Sequence, residues 1–413
     1  MKFLHLSDLH IGKNLDNISM IPEQKHALRQ IIDYIKIHNP VAVVIAGDIY
    51  DRTIPSVEAV GVFDDFLTEL AALDIVVMII AGNHDSPERL NFASRLLSDK
   101  KLFICGTFDG SIRNCVLSDE YGEVNFWLLP FIKPTSLRRF FNESYSESHN
   151  KVENHEDAVA AALDRTNINH TSRNVLISHQ FYTKVGLEPK RSDSEVDPIG
   201  GLDSVNARLI ENFDYAALGH LHGAQSVGAP HIRYSGSFIK YSFSEWLHKK
   251  SVTLVELKEK GDLTIIKLPI TPIHNMRVIK GKLEHLISDE VISSLEEADK
   301  EDYLKVILTD EIVIDPMAKL RRFYPNILKL SFDNSRTNID MSAITSSLIS
   351  TDLMSTNLMS TDLTSTNLMS TKQVSPYDLF EEFFLNTQGY VMNKEQREIV
   401  QKLLEQQDNE NQT

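Results

Sequence analysis

Cysteine is nearly absent from this chain: its 413 residues include two, Cys105 and Cys115. A disulfide framework and a zinc site of four thiolates are both excluded, and such sparse use of thiols points to a reducing compartment. Long apolar runs are missing as well. None approaches the ~20 residues of a membrane span. The opening Met1-Lys2-Phe3-Leu4-His5 lacks a signal-peptide core and reads as a strand entering the fold. A cytoplasmic protein without a membrane partner is expected. Positive charge is short too, with 42 Lys and Arg against 58 Asp and Glu and a net charge of −16. That balance argues against a protein that coats nucleic acid through a basic surface. It leaves room for an enzyme whose site is built from carboxylates and recovers their charge by binding cations.

What is present is an ordinary globular composition, 42% apolar and 24% charged. At roughly 100–200 residues per domain, the length predicts two or three domains. Residues 1–270 alternate apolar runs with helical stretches. Strands are expected around 3–6, 41–46, 75–81, 125–129, 175–178, 215–218 and 252–257, several of them continuous runs suited to burial on both faces. Helical spacing spans 22–38 and 55–73, the second opened by Pro55. This βαβα order predicts an α/β sandwich, with part of the second half antiparallel. Residues 271–335 read as strand, helix (288–298), strand, helix, strand, a small α+β capping domain. Residues 336–375 are a low-complexity linker holding pentad repeats that begin Thr351-Asp352-Leu353-Met354-Ser355. Residues 376–413 carry two short amphipathic helices, which either fold back on the parent domain or dock on another protein.

Five short motifs stand at the ends of strand-like runs: Ser7-Asp8-Leu9-His10, Gly47-Asp48-Ile49-Tyr50-Asp51-Arg52, Gly82-Asn83-His84-Asp85, Ser178-His179 and Gly219-His220-Leu221-His222. In open α/β sheets, ligands gather beyond the carboxyl ends of strands, so the five loops would converge. Asp and Asn oxygens with neutral imidazoles suit Mn²⁺, Fe²⁺, Zn²⁺ or Mg²⁺. On an extended segment, Asp8 and His10 would share a face and reach one ion. Asp48 could bridge two ions, and two ions about 3.5–4 Å apart can clamp a phosphoryl transfer. Each motif alone has a plainer explanation, such as an Asx turn or a core histidine; the ordered set does not.

That set resembles the calcineurin-like metallophosphoesterase superfamily over residues 1–250. The resemblance implies a two-sheet α/β metallophosphoesterase sandwich with two divalent ions. One ion would take Asp8, His10, Asp48 and His222; the other would take Asp48, Asn83, His179 and His220. His84 would sit over the scissile phosphate as the catalytic residue, oriented by Asp51 or Asp85. Thr53 follows Arg52 where protein phosphatases of the class carry glycine. The stretch 234–245, the opening 4–12, the α+β unit and the terminal helices are instead similar to the SbcD nuclease family.

This closer resemblance implies a Mn²⁺-using (Mg²⁺ possible) DNA nuclease, an ATP-dependent 3′-to-5′ double-strand exonuclease and single-strand or hairpin endonuclease of repair, recombination and replication. It implies an SbcC-type ABC ATPase partner docked through the C-terminal helices, and a homodimer within a heterotetramer associated with the nucleoid. Dimer contacts would come from Val60, Val62, Phe63, Phe66, Phe92 and Leu96, unless these pack on the sheet. Candidate DNA contacts are Lys13, Arg52, Arg89, Lys133, Lys184, Lys190, Arg191, Lys319, Arg321 and Arg322, with Tyr50 and Phe181 for stacking. His5 is read as structural. Phe238 departs from the family, which has proline there, and the pentad repeat is foreign to it. The alternatives are a phosphodiesterase or phosphatase for a small substrate, and a scaffold with a dead site.

Overall fold

Ala-Val-Val-Ile-Ala at Ala42–Ala46 is buried at every position, as β-branched residues are when a strand is covered on both faces. It lies inside a six-stranded sheet with the order Leu263–Pro269, Ser251–Leu257, Lys2–Leu6, Ala42–Ala46, Val76–Ile80, Leu102–Cys105. The last four of these run parallel, and the first two are antiparallel additions at one edge. A second six-stranded sheet has the order Gln225–Val227, Ala229–Tyr234, Tyr215–Gly219, Arg173–His179, Gly122–Leu129, Arg113–Asp119, with its four central strands parallel. The structure is a computed structural model. It describes residues 1–138, 152–184, 189–195 and 204–333, together with 377, 381, 384, 391–394, 396, 397, 400 and 401. The expected linker at 336–375 lies outside the described residues, as does most of the expected pair of terminal helices.

The two sheets face each other across Phe3, Val44, Met78 and Ile80 on one side and Phe126, Val175, Ile177 and Tyr215 on the other. Phe3 meets Phe126 and Tyr215 edge-on, with centroids at 5.3 and 5.7 Å. Alternate residues of the second sheet, among them Trp127, Leu176, Ala216 and Leu218, turn outward onto Ala158, Val159 and Ala162 of the His155–Asp164 helix. On the first sheet, the parallel strands are joined by the helices Ile21–His38 and Val57–Ala72, as parallel crossovers require. The result is the expected α/β two-sheet sandwich. The four parallel strands of each sheet point the same way within their sheet, so their carboxyl ends form one rim.

The chain divides into two compact units, Met1–Arg277 and Val278–Thr413. The second has its own core of Leu283, Leu286, Leu304, Val306, Leu308, Leu320, Tyr324 and Ile327. Its three-stranded sheet runs Met276–Gly281, Tyr303–Leu308, Ile327–Phe332. The helix expected over 288–298 is instead two short helices, Asp289–Ser294 and Glu297–Lys300, because Leu295 turns extended at ψ 137°. Pro55 does not open the second crossover helix. Ser56 caps it, accepting from the Ala59 amide at 3.1 Å. The Arg113–Asp119 strand is not legible in the sequence: its exposure alternates regularly, but polar Arg113 and Asp119 take inward positions and Val116 an exposed one, so no apolar alternation marks it.

Candidate metal centre

The rim carries all five motifs. Asp8 follows Lys2–Leu6, Asp48 follows Ala42–Ala46, Asn83 and His84 follow Val76–Ile80, His179 ends Arg173–His179, and His220 follows Tyr215–Gly219. The backbone turns sharply at these sites. Asp8, His10 and Asp48 have φ of 54°, 42° and 51°, and His220 has 109°. For non-glycine residues this region costs free energy and needs surrounding structure to hold it. The extended Asp8-Leu9-His10 segment expected from the sequence is therefore corrected. Left-handed turns, not strand alternation, bring Asp8 and His10 together. Glycine is required beside them, since a Cβ on Gly82 would stand 2.1 Å from Asp48 Oδ1 and one on Gly219 would stand 1.9 Å from the Ala46 carbonyl.

The side chains form two groups around Asp48. In the first, His10 Nε2 stands 3.1 Å from His222 Nε2 and 3.6 Å from Asp48 Oδ2. Asp8, His10 and His222 offer ligand atoms within 4.8 Å of one another. In the second, Asn83 Oδ1 stands 3.0 Å from both His179 Nε2 and His220 Nδ1, and His179 Nε2 is 3.3 Å from Asp48 Oδ2. One carboxylate oxygen is thus shared by both groups. All seven expected ligand residues converge, each from the motif that predicted it.

The donor set fits cations. His179 Nδ1 donates to the Ala46 carbonyl at 2.7 Å, so in the neutral ring Nε2 is the atom that carries the lone pair. That lone pair faces two oxygens. Asp8 Oδ2 is buried with no hydrogen-bond partner, although buried carboxylate oxygens are costly to leave unpaired. Burial pushes the Asp8 carboxyl up to about 7, with the Asp48 charge adding to the rise against the pull of His179. Burial would lower His179, but the Asp48 charge and hydrogen bond outweigh it and raise the ring to about 9. Burial and the neighbouring His179 hold His220 down at about 3. The unpartnered Asp8 oxygen and the proton that Asp48 draws onto His179 both mark a place where positive charge is favoured. Divalent ions, which the fold implies, supply it.

His84 borders this cluster, its ring edge-on to that of His10 with centroids at 4.8 Å, and it is half-buried like Asn83 and His220. Its amide donates to Asp48 Oδ1 at 2.9 Å, and its Nδ1 donates to the Asp51 main-chain carbonyl at 3.0 Å. Neither expected carboxylate orients it. Asp85 is spent on the amides of Ile49, Tyr50 and Gly82 at 3.2, 3.1 and 2.9 Å, tying the rim loops together. The Asp51 carboxylate pairs with Lys13 at 2.7 Å.

Other expectations divide. His5 is buried and bonded to the Tyr215 hydroxyl at 3.0 Å, a structural histidine. Phe181 is 4% exposed, so it has no face to offer a base. It is the platform under Arg191, whose guanidinium carbon lies 4.0 Å from the ring centroid. Val62, Phe63 and Phe66 are buried within the chain, whereas Val60, Phe92 and Leu96 are exposed. Ser194, Glu195 and Lys250, which surround His222, carry no motif; they are invisible in the sequence because their partners lie far along the chain.

With that geometry in place, the chain can be set beside known proteins. The family described as calcineurin-like phosphoesterase matches residues 1–224, and the one described as type 5 capsule protein repressor C-terminal domain matches residues 272–388. The chain is 33% identical over 344 residues to the SbcD subunit of the SbcCD nuclease of Staphylococcus epidermidis, covering 81% of this chain and 87% of that one. Among solved structures, it is similar to a dimetal phosphatase from Danio rerio at 12% identity and a TM-score of 0.38, covering 66% of this chain and 99% of that one. That last likeness is too loose to support an argument.

Proposed function

The chain belongs to the calcineurin-like phosphoesterase family, in its SbcD branch, and from that membership we propose that it is the nuclease subunit of an SbcCD-type complex. Family membership carries metal-dependent phosphodiester hydrolysis. The finer reading is a DNA exonuclease and endonuclease, working 3′ to 5′ on duplex ends and on hairpins or single strands with Mn²⁺. It would pair with an SbcC-type ABC ATPase, as a homodimer in a heterotetramer, at the nucleoid in the cytoplasm. The supporting observation is the position of Asp48 Oδ2, between His10 Nε2 at 3.6 Å and His179 Nε2 at 3.3 Å.

Asp8, His10, Asp48 and His222 would hold one ion, and Asp48, Asn83, His179 and His220 the other. When bound, the two ions supply Lewis-acid activation of a water and neutralise charge on the phosphoryl oxygens. The chain's own groups do the rest. His179 keeps its proton on Nδ1 through the Ala46 carbonyl, which leaves Nε2 free to coordinate. Tethering of His84 Nδ1 to the Asp51 carbonyl leaves Nε2 as the ring atom outside that bond. From Nε2 the ring can stabilise charge on the phosphoryl group or pass a proton to the leaving oxygen. Asp85 holds the loops that carry Asp48 and His84 in register. The exposed Arg52, Arg89, Lys184, Lys190 and Arg191 supply cations for the DNA backbone in an otherwise acidic chain.

The test is cleavage of labelled linear duplex and hairpin DNA by the full chain with Mn²⁺, with and without an SbcC-type ATPase and ATP. The reading predicts Mn²⁺-dependent cutting that the ATPase increases. Hydrolysis of a small phosphodiester with no DNA cutting in any pairing would overturn it in favour of a small-substrate enzyme.

A further inference from the structure

His222 differs from the other imidazoles of the cluster in how it is held. His179 ends a strand that is laddered on both sides, and a main-chain carbonyl fixes its ring. His222 lies beyond the end of the Tyr215–Gly219 strand. Side chains hold it at nearly every polar atom. Its amide donates to Glu195 Oε1 at 2.6 Å. Its carbonyl accepts from Lys250 Nζ at 2.9 Å and from the Ser237 amide at 3.2 Å. Ring atom Nδ1 stands 2.8 Å from Ser194 Oγ and 3.3 Å from Glu245 Oε1, and Ser194 Oγ donates to that same Glu245 oxygen at 2.5 Å. Glu245 is fully buried, and its other oxygen pairs with Lys250 Nζ at 2.5 Å. Lys250, also buried, spends its remaining proton on Ser237 Oγ at 2.7 Å.

We propose that Glu245 is a positioning residue for His222, and that Lys250 locks it in place. Glu245 accepts from Nδ1, directly and through Ser194, so the proton stays on Nδ1 and the Nε2 lone pair stays aimed at His10. Lys250 grips the main chain of the same residue and balances the carboxylate. A buried ion pair brings little net stability, because desolvation offsets the attraction. Its value here is aim. A carboxylate behind a coordinating imidazole fixes the tautomer and ring plane and raises ligand basicity, and losing such a partner typically weakens metal affinity about 10–100-fold. The inference rests on the two-metal reading and names the residues that prepare one of its two ion sites.

The test is calorimetric titration of the metal-free full chain with Mn²⁺. The wild type should show two binding events, and His222→Ala should identify which one depends on this ring. Glu245→Gln keeps the shape and removes the charge. It should weaken that same event about 10–100-fold, leave the other within threefold, and lower the melting of the metal-free protein, because one partner of a buried pair is left unpaired. Glu245→Gln strands a buried Lys250, so Glu245→Gln/Lys250→Met, which removes both charges, serves as the second variant and should show the same selective loss. Unchanged affinity, equal loss at both events, or recovery of wild-type affinity in the double variant overturns the proposal while the two-metal reading stands. A wild type that binds no Mn²⁺ overturns both.

Discussion

Nε2 of His10 and Nε2 of His222 stand 3.1 Å apart although the residues are 212 positions apart in the chain. The Nδ1 of His222 is taken by Ser194 and Glu245, so its Nε2 presents a lone pair. Two buried ring nitrogens at hydrogen-bond distance, with a shared carboxylate oxygen beside them, are the arrangement that the two-metal reading requires of a coordination corner. That corner and the loops that build it have consequences that can be measured.

Asp48 and His84 should fail in different ways. Asp48→Asn removes the shared anion and should weaken Mn²⁺ binding at both sites by more than about 100-fold, beyond the cost of losing an outer partner. His84→Ala removes no proposed ligand and should keep metal affinity within threefold while turnover falls about 10²–10⁴-fold. Parallel calorimetry and cleavage assays of the two variants distinguish them. Equal metal loss in both would contradict these roles.

Gly82→Ala should disable the site without altering any proposed ligand. Its Cβ would stand 2.1 Å from Asp48 Oδ1 and 2.4 Å from the Asp48 amide nitrogen. Activity and Mn²⁺ binding should both fall. The control is Gly61→Ala on the exposed face of the Val57–Ala72 helix, where a Cβ meets nothing within 4 Å. That change should stabilise the protein by about 0.5–1 kcal/mol in a thermal or urea melt.

Self-association should depend on the apolar residues left outside. Phe92 is 81% exposed and Leu96 77%, and large exposed apolar side chains that cluster mark contact surfaces. Phe92→Glu/Leu96→Glu should shift the protein to monomer in sedimentation at micromolar concentration. An unchanged dimer would assign the contact to another surface.

Acid stability should respond to Asp119, far from the rim. Arg173 is 4% exposed and hydrogen-bonds Asp119 at 2.5 and 3.2 Å. Those bonds and the Met1 amino group hold the Asp119 carboxyl well below its ordinary 3.8 despite some desolvation. A carboxyl lower in the folded state stabilises it fully above the unfolded value, and that contribution is lost as pH falls through the folded one. Asp119→Asn should therefore cost on the order of 2 kcal/mol at pH 7, less than a fully buried pair because the carboxylate touches solvent. The difference should shrink below about pH 3 in melts of both proteins.

Much of the site is legible in the sequence because each ligand follows a strand whose apolar run marks its end. Gly47-Asp48 and Gly82-Asn83-His84-Asp85 announce themselves that way. The means of convergence is not legible. Nothing local in Asp8-Leu9-His10 signals left-handed φ at both Asp8 and His10; tertiary bonds impose it, the Asp8 and His10 amides reaching the Gly47 and Asp48 carbonyls at 3.1 and 3.0 Å. The roles of Asp51 and Asp85 escape the sequence for a related reason. Sequence shows side chains and hides the main-chain carbonyl that holds His84. Glu245 and Lys250 sit five residues apart yet act on His222, a pairing that only folding reveals.

Where cations bind decides the two-metal reading most directly. Crystals of the metal-free chain soaked in Mn²⁺, measured at the manganese edge, should give two anomalous peaks about 3.5–4 Å apart. One should lie between His10 and His222 and the other between Asn83, His179 and His220, with Asp48 touching both. A single peak, or peaks away from Asp48, would contradict the two-metal centre.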